Sequence, residues 1–150
     1  MRIIVQNVKE ASCEVNHKIV GSISRGFCLF VGFTNGDSRE TTEKMAKKLL
    51  SLRLFDDENG KTNLSLKDIG GAILSISQFT LYASVKDGRR PSFIHALNPK
   101  DASELYDYFN ECLREEGYKV ETGVFGAMMD IHIVNDGPFT TILDSKELGL

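Results

Sequence analysis

The chain has 150 residues, of which 41% are apolar and 26% are charged, and its formal net charge is −3. This length suits one domain with a substantial core, and the composition excludes a disordered or membrane-embedded chain. The acidic balance argues against a protein that coats nucleic acid, although it leaves room for a local basic patch.

The termini and the cysteines bear on the compartment. No apolar run is long enough to span a bilayer, and Met1–Gln6 turns polar too early for a signal peptide. The three cysteines are odd in number and far apart, and they and the three histidines lack the spacing of zinc ligands. We therefore expect a cytoplasmic protein with reduced thiols, no metal and no cofactor.

The first elements of the chain are predicted strands. Residues 2–8, 11–15 and 19–23 have β-type patterns, and the last two are expected to form a hairpin around residues 16–18. The run Gly26–Phe33 is apolar at nearly every position and too short for a helix between its glycines. It predicts a central strand buried on both faces.

Two amphipathic helices follow, each set between strands. Asp37 is a suitable N-cap for a helix over residues 38–53, whose apolar residues recur at helical spacing. Asn98 followed by Pro99 predicts the start of a second helix, which Gly117 ends. With further strands expected at 72–76, 118–124, 128–135 and 139–144, the order predicts a single α/β layered domain over residues 1–150.

Two short stretches carry polar groups at the ends of predicted strands. Ser77, Gln78 and Thr80 follow the buried strand 72–76, so their polar side chains are expected at a sheet edge. Gly137-Pro138 lies between two β-rich runs, where proline removes a backbone donor and glycine leaves its carbonyl sterically open. Taken separately, each stretch also fits an ordinary strand end or turn.

Together, Ser77–Ala83 (SQFTLYA) and Asn135–Thr140 (NDGPFT) resemble the two signature motifs of the D-aminoacyl-tRNA deacylase family. The similarity extends over nearly the whole chain, including Gly88–Phe93 and Gly123–Met129. The chain departs from the family pattern at two positions. It has Asn7 where the family usually has Arg, and Phe139 where the family usually has Val.

The resemblance implies hydrolysis of the ester between a D-amino acid and the terminal adenosine of tRNA, a chiral proofreading step in translation. Glycyl-tRNA is an implied further substrate. The expected fold has three layers, two β-sheets and a layer of helices, and the expected assembly is a homodimer whose sites are shared across the interface.

Ester hydrolysis needs stabilisation of an oxyanion and an activated nucleophile. Backbone N–H groups near Phe79 and Thr80 can supply the first, and Ser77 and Gln78 can orient the ester or the ribose. No base accompanies Thr80 in the motif. A substrate-assisted mechanism, in which the ribose 2′-hydroxyl activates water and Thr80 positions the substrate, is therefore favoured, and Thr80 as nucleophile stays open.

The resemblance also assigns substrate-binding residues. The carbonyl groups of Gly137 and Pro138, joined by a cis peptide bond and contributed by the partner subunit, are expected to hold the substrate ammonium and reject L-amino acids. Phe125 and Met129 are expected at the same site. The family's Arg helps to hold the Gly-Pro segment, so Asn7 predicts a looser one.

Arg89 and Arg90 follow the first motif and suit phosphate contacts with tRNA, although an exposed loop charged for solubility explains them equally well. Two other functions stay open. One is a non-enzymatic nucleic-acid-binding module associated with DNA replication, as for some relatives of the family. The other is a different ester or thioester hydrolase, which the lack of a Gly-x-Ser-x-Gly elbow disfavours.

Overall fold

Two long strands, one near each end of the chain, run side by side in the sheet, and the second of them lies at an edge. The computed structural model describes all residues from Met1 to Leu150. The strands are β1 (Arg2–Val15), β2 (Lys18–Ile23), β3 (Gly26–Gly32), β4 (Arg53–Asp56), β5 (Thr62–Ser65), β6 (Ala72–Ser77), β7 (Val120–Thr122) and β8 (Asp130–Asp144). The helices are α1 (Arg39–Leu50) and α2 (Pro99–Glu115), and a single turn of 3-10 helix, here the 79–82 turn, spans Phe79–Tyr82.

Six strands form one mixed sheet. Its order is β2-β1-β3-β6-β7, and β8 pairs antiparallel with β1 along almost its whole length. The first half of β1 pairs with β3, whereas its second half pairs with β2. Strands β3, β6 and β7 are parallel, so β3 and β6 end at the same edge of the sheet. This edge is the place where α/β sheets commonly bind ligands.

The sheet curls until its two halves face each other. Between them lies the smaller of two apolar clusters, here the second cluster, in which Val8, Ala11 and Cys13 of β1 pack against residues of β3 and β6. Strand β2 approaches β7 so closely that a Cβ on Gly21 would lie 2.7 Å from the Thr122 carbonyl oxygen. The predicted α/β fold with two β layers and one helical layer is therefore confirmed, and the two β layers are halves of one curled sheet.

The helical layer covers the other face of β3 and β6. Both helices contribute to the main core, α1 through Met45 and Leu49 and α2 through Phe109 and Leu113. The predicted cap of α2 is confirmed, because the Asn98 side chain accepts from the Asp101 backbone N–H at 3.1 Å.

The predicted start and end of the first helix need correction. Ser38 rather than Asp37 caps α1, with its hydroxyl accepting from the Thr41 N–H at 3.3 Å. Asp37 instead accepts from the Thr34 N–H at 2.8 Å. The helix ends at Leu50, earlier than predicted, because the chain turns into the short hairpin of β4 and β5, which the sequence did not predict.

The second motif lies in a bulge, not in a turn between two strands. Residues 130–144 form one strand, β8, in place of the two predicted strands. Gln6 pairs with Thr140 and Val8 pairs with Asn135, so residues 136–139 are extra residues of β8 that lie opposite Asn7 alone. Pro138 lacks an N–H, and a bulge on an edge strand tolerates that loss.

Candidate active site

An open pocket of about 630 Å³ lies where β3 and β6 end. Its walls come from the ends of these two strands, from the segment leading into α2, and from residues 125–129 before β8 together with Ile131 of β8. Most of the lining is apolar, and it contains no Asp, Glu, His, Lys, Arg or Cys side chain. The pocket therefore offers shape and hydrogen bonds, but no ionisable group of its own.

The structure brings together five of the predicted site residues. Ser77, Gln78 and Phe79 line the pocket on one side, and Phe125 and Met129 line it on the other. Thr80 follows directly and is exposed. Its hydroxyl oxygen accepts a hydrogen bond from the Gln78 side-chain nitrogen at 2.5 Å. This leaves the hydroxyl proton of Thr80 free to donate.

The 79–82 turn presents two free backbone donors. The Gln78 N–H donates to the Val31 carbonyl at 2.8 Å, which ties the start of the turn to β3. Within the turn, Leu81 N–H donates to the Gln78 carbonyl at 3.3 Å. The N–H groups of Phe79 and Thr80 donate to no protein atom, as expected for the first residues of a helical turn. Adjacent free N–H groups beside a pocket are the arrangement that stabilises an oxyanion.

An aromatic pair forms the outer rim of the pocket. The rings of Phe79 and Phe93 meet edge to face with centroids 5.0 Å apart. Phe93 received no role from the sequence, although it ends the Gly88–Phe93 segment that matches the family. Only the similarity of Gly88–Phe93 to the family could have pointed to Phe93, because the spacing along the chain does not indicate that residues 79 and 93 touch.

No side chain near the turn is poised as a base. Tyr82, which ends the turn, has its pKa raised by burial and then by the Asp37 and Asp144 carboxylates, so its phenol stays neutral. The Thr80 hydroxyl has one hydrogen-bond partner, the Gln78 side-chain amide, which cannot take a proton at neutral pH. His95 and His132 are exposed and do not line the pocket.

Asn135 holds the bulge that contains Gly137 and Pro138. Its side-chain oxygen accepts from the Phe139 N–H at 3.1 Å. Its side-chain nitrogen donates to the Gln6 side-chain oxygen and to the Thr140 hydroxyl, the latter at 3.3 Å. The amide therefore spans the bulge and ties it to β1.

Gly137 and Pro138 themselves are exposed and do not line the pocket of their own chain. The peptide bond between them is cis, and Gly137 has φ +127°. The Asn7 side chain makes no hydrogen bond with them. Its side-chain nitrogen donates to the Leu54 carbonyl, on the side of β4.

Arg89 and Arg90 lie outside the pocket in an exposed loop. Ser84 and Ser92 close this loop through two backbone hydrogen bonds of 2.8 and 2.9 Å. Neither arginine forms an ion pair with a carboxylate. Both guanidinium groups are thus available to an external anion.

No three His, Cys, Asp or Glu side chains lie close enough together to hold a metal ion. Neither helix combines the length and the apolar character needed to cross a membrane.

The molecule is thus an α/β protein with a curled sheet and a largely apolar pocket that lies beside two free backbone N–H groups. Residues 4–144 match the model of the D-Tyr-tRNA(Tyr) deacylase family. D-aminoacyl-tRNA deacylases of Listeria monocytogenes serotype 4b (strain CLIP80459) and Aquifex aeolicus (strain VF5) are each 54% identical over 148 residues. The alignments cover 99% of this chain and 99% and 100% of those proteins. The chain belongs to the D-Tyr-tRNA(Tyr) deacylase family.

A solved structure is also similar over its whole length. It is the c-Myc DNA unwinding element binding protein, with 39% identity and a TM-score of 0.90. The match covers 96% of this chain and 98% of that one. The name of that protein refers to DNA binding, which makes it relevant to the alternative function raised by the sequence.

Proposed function

We propose that this protein hydrolyses the ester bond of D-aminoacyl-tRNA, and of glycyl-tRNA, releasing the amino acid and free tRNA. Membership of the deacylase family supports this function, as does the identity of 54% to named deacylases over the full chain. Such an enzyme serves chiral proofreading in translation and acts in the cytoplasm.

The observation that carries the mechanism is the lack of any ionisable side chain lining the pocket. An enzyme that activates water with its own base needs that base within hydrogen-bond reach of the water. We therefore assign activation of water to the 2′-hydroxyl of the terminal ribose. The Phe79 and Thr80 N–H groups stabilise the oxyanion, and the Thr80 hydroxyl, held by Gln78, orients the ester.

Chiral selection is assigned to Gly137 and Pro138 of a partner subunit. Both residues are exposed and lie outside the pocket of their own chain, which supports a site completed by a second copy whose carbonyl groups face the substrate ammonium. An L-amino acid would direct its Cβ into this backbone. Phe125 and Met129 form the opposite wall, and Arg89 and Arg90 contact tRNA phosphates, which fix the position of a nucleic acid without reading the attached group.

The direct test compares D-tyrosyl-tRNA and L-tyrosyl-tRNA at equal concentration, with release of tyrosine followed over time. Hydrolysis of the D-ester with little action on the L-ester is expected. Equal rates on the two esters would reject chiral selection, and no release from either would reject the enzyme.

Homodimerisation is tested by mixing two variants. Gly137→Ala keeps the pocket intact, and Ala127→Trp fills the pocket while keeping Gly137. After random subunit exchange in a two-fold symmetric dimer, about a quarter of the sites would combine an intact pocket with an intact Gly137. Activity should therefore reappear in the mixture. Continued inactivity after proven exchange would mean that each site is built within one chain.

A DNA-binding function is the second candidate, because the c-Myc DNA unwinding element binding protein has nearly the same fold at 39% identity. The net charge of −3 is unfavourable for binding a polyanion without sequence preference. Fluorescence anisotropy with an A·T-rich duplex tests it. Micromolar binding by a protein that fails to hydrolyse D-tyrosyl-tRNA would establish this alternative.

A further inference from the structure

Arg2 connects the first and last strands to the 79–82 turn. Its Nε and Nη2 atoms contact the Asp144 carboxylate at 2.8 and 2.7 Å. Its Nη1 donates to the Leu81 carbonyl at 2.7 Å. The guanidinium also lies over the Tyr82 ring, 5.0 Å from the centroid. One side chain thus contacts a carboxylate, a backbone carbonyl and an aromatic face.

Asp144 fixes the direction of the Arg2 guanidinium. The Asp144 side chain is 9% exposed, and its other oxygen accepts from the Lys146 N–H at 2.9 Å. A guanidinium is a rigid planar fork, so fixing two of its nitrogens on one carboxylate also sets the direction of the third. That third nitrogen points at the Leu81 carbonyl.

The hydrogen bond from Arg2 to the Leu81 carbonyl holds the second end of the 79–82 turn. The first end is already held, because the Gln78 N–H donates to the Val31 carbonyl of β3. The two free N–H groups, of Phe79 and Thr80, lie between these two attachments. Without Arg2, the Leu81 carbonyl would lose its charged donor and the turn would be held by the sheet at one end only.

We propose that Arg2, oriented by Asp144, is a positioning residue that aligns the Phe79 and Thr80 N–H groups toward the oxyanion of the reacting ester. This inference rests on the proposed function. Arg2 does not line the pocket. It acts through the backbone of the turn, and so it should affect the transition state more than the bound ground state.

The test uses Arg2→Met, which keeps much of the apolar stem and removes the fork, and Arg2→Lys, which keeps the charge. The matched control is Arg25→Met, since the Arg25 guanidinium also stacks on a ring, that of Phe55 at 5.3 Å, but far from the turn. Arg2→Met should lower kcat for D-tyrosyl-tRNA about 10- to 100-fold with little change in KM, because small misplacements of oxyanion donors cost this much. The kcat of Arg2→Lys should lie between those of wild type and Arg2→Met, and the kcat of Arg25→Met should equal that of wild type.

Chemical rescue separates positioning from general destabilisation. Guanidinium ion at millimolar concentration should raise kcat of Arg2→Ala and leave kcat of Arg25→Ala unchanged. If Arg2→Met fails to fold, Arg2→Lys decides, and its kcat should still fall.

A folded Arg2 variant with wild-type kcat, or one whose KM rises while kcat is unchanged, would overturn the inference. In that case, an active wild-type enzyme would leave the proposed function standing. An inactive wild-type enzyme would overturn both.

Discussion

Replacing Gly137 with alanine tests the proposed specificity element most directly. At φ +127° an L-residue is strained, at a cost of about 1–3 kcal/mol. A Cβ at this position would also lie 2.8 Å from the Phe139 nitrogen and 3.3 Å from its Cβ. The loop can either keep its conformation and accept this cost or move Pro138 and Phe139 to relieve it.

The two responses have different signatures in thermal unfolding. If the loop keeps its conformation, the melting temperature should fall by about 2–12 °C, since 1 kcal/mol corresponds to about 2–4 °C in a domain of this size. If the loop moves, the melting temperature should stay near that of wild type. In both cases the fold persists, because Gly137 is exposed in a bulge outside the core.

Activity should fall with either response. A Cβ projects toward the substrate in the first case, and the carbonyl groups shift in the second, so kcat/KM for D-tyrosyl-tRNA should fall about 10- to 100-fold. Gly60→Ala is the matched control. Gly60 has φ +71°, no atom within 4 Å of an added Cβ, and a place in the β4–β5 turn away from the pocket. Wild-type kcat/KM in Gly137→Ala, with an unchanged preference for the D-ester, would refute the reasoning.

Four further outcomes are expected. Thr80→Ala should keep measurable activity, whereas D-tyrosyl-tRNA ending in 2′-deoxyadenosine should be nearly inert. Arg89→Ala with Arg90→Ala should weaken tRNA use without changing the D-to-L ratio, and the wild-type rate should fall steeply with salt. A chelator should leave the rate unchanged. Burial raises the pKa of Asp144, but hydrogen bonds from Arg2 and a backbone N–H lower it below 3.8. The stability that Asp144 contributes is therefore full above about pH 4 and is lost as pH falls through the lower folded pKa, a loss that Asp144→Asn should abolish.

Each of these outcomes has a clear contrary result. A covalent acyl adduct on Thr80, detected by mass spectrometry, would establish the nucleophile mechanism. A salt-independent rate, or unchanged kinetics in the double arginine variant, would assign that loop to solubility. Activity lost with a chelator and restored by zinc would reveal a metal site. An acid unfolding curve in Asp144→Asn with the wild-type shape below pH 4 would contradict the assignment of that stability to Asp144.

Local patterns predicted most elements of this fold, because the signals act over a few residues. The helical spacing and the Asn98 cap predicted α2. The continuous apolar run predicted that β3 is buried on both of its faces. The same local signals cannot show that one strand crosses from one β layer to the other. β1 does this within Arg2–Val15, with Val5 in the main core and Cys13 in the second cluster.

Local patterns have the same limit for the residues around the 79–82 turn. The position of Ser77 and Gln78 beside the pocket was predictable, because polar side chains that follow a buried strand lie at the sheet edge. Phe93 and Arg2 were not, since each reaches the turn through a contact between residues far apart in sequence. Arg2 lies 79 positions from Leu81, and only the pairing of the first and last strands brings it to the turn.

The effect of Asn7 depends on which other residues hold the Gly-Pro segment. The family usually has Arg there, and its loss predicts a looser Gly-Pro segment. In the structure, the Asn7 amide is buried and donates to Leu54, while Asn135 makes the hydrogen bonds that hold the bulge. Substituting one residue loosens a segment only to the extent that no other residue holds it, and Asn135 can hold this bulge because it lies at its base. Asn135→Ala should therefore disturb the D-to-L ratio more than any change at position 7.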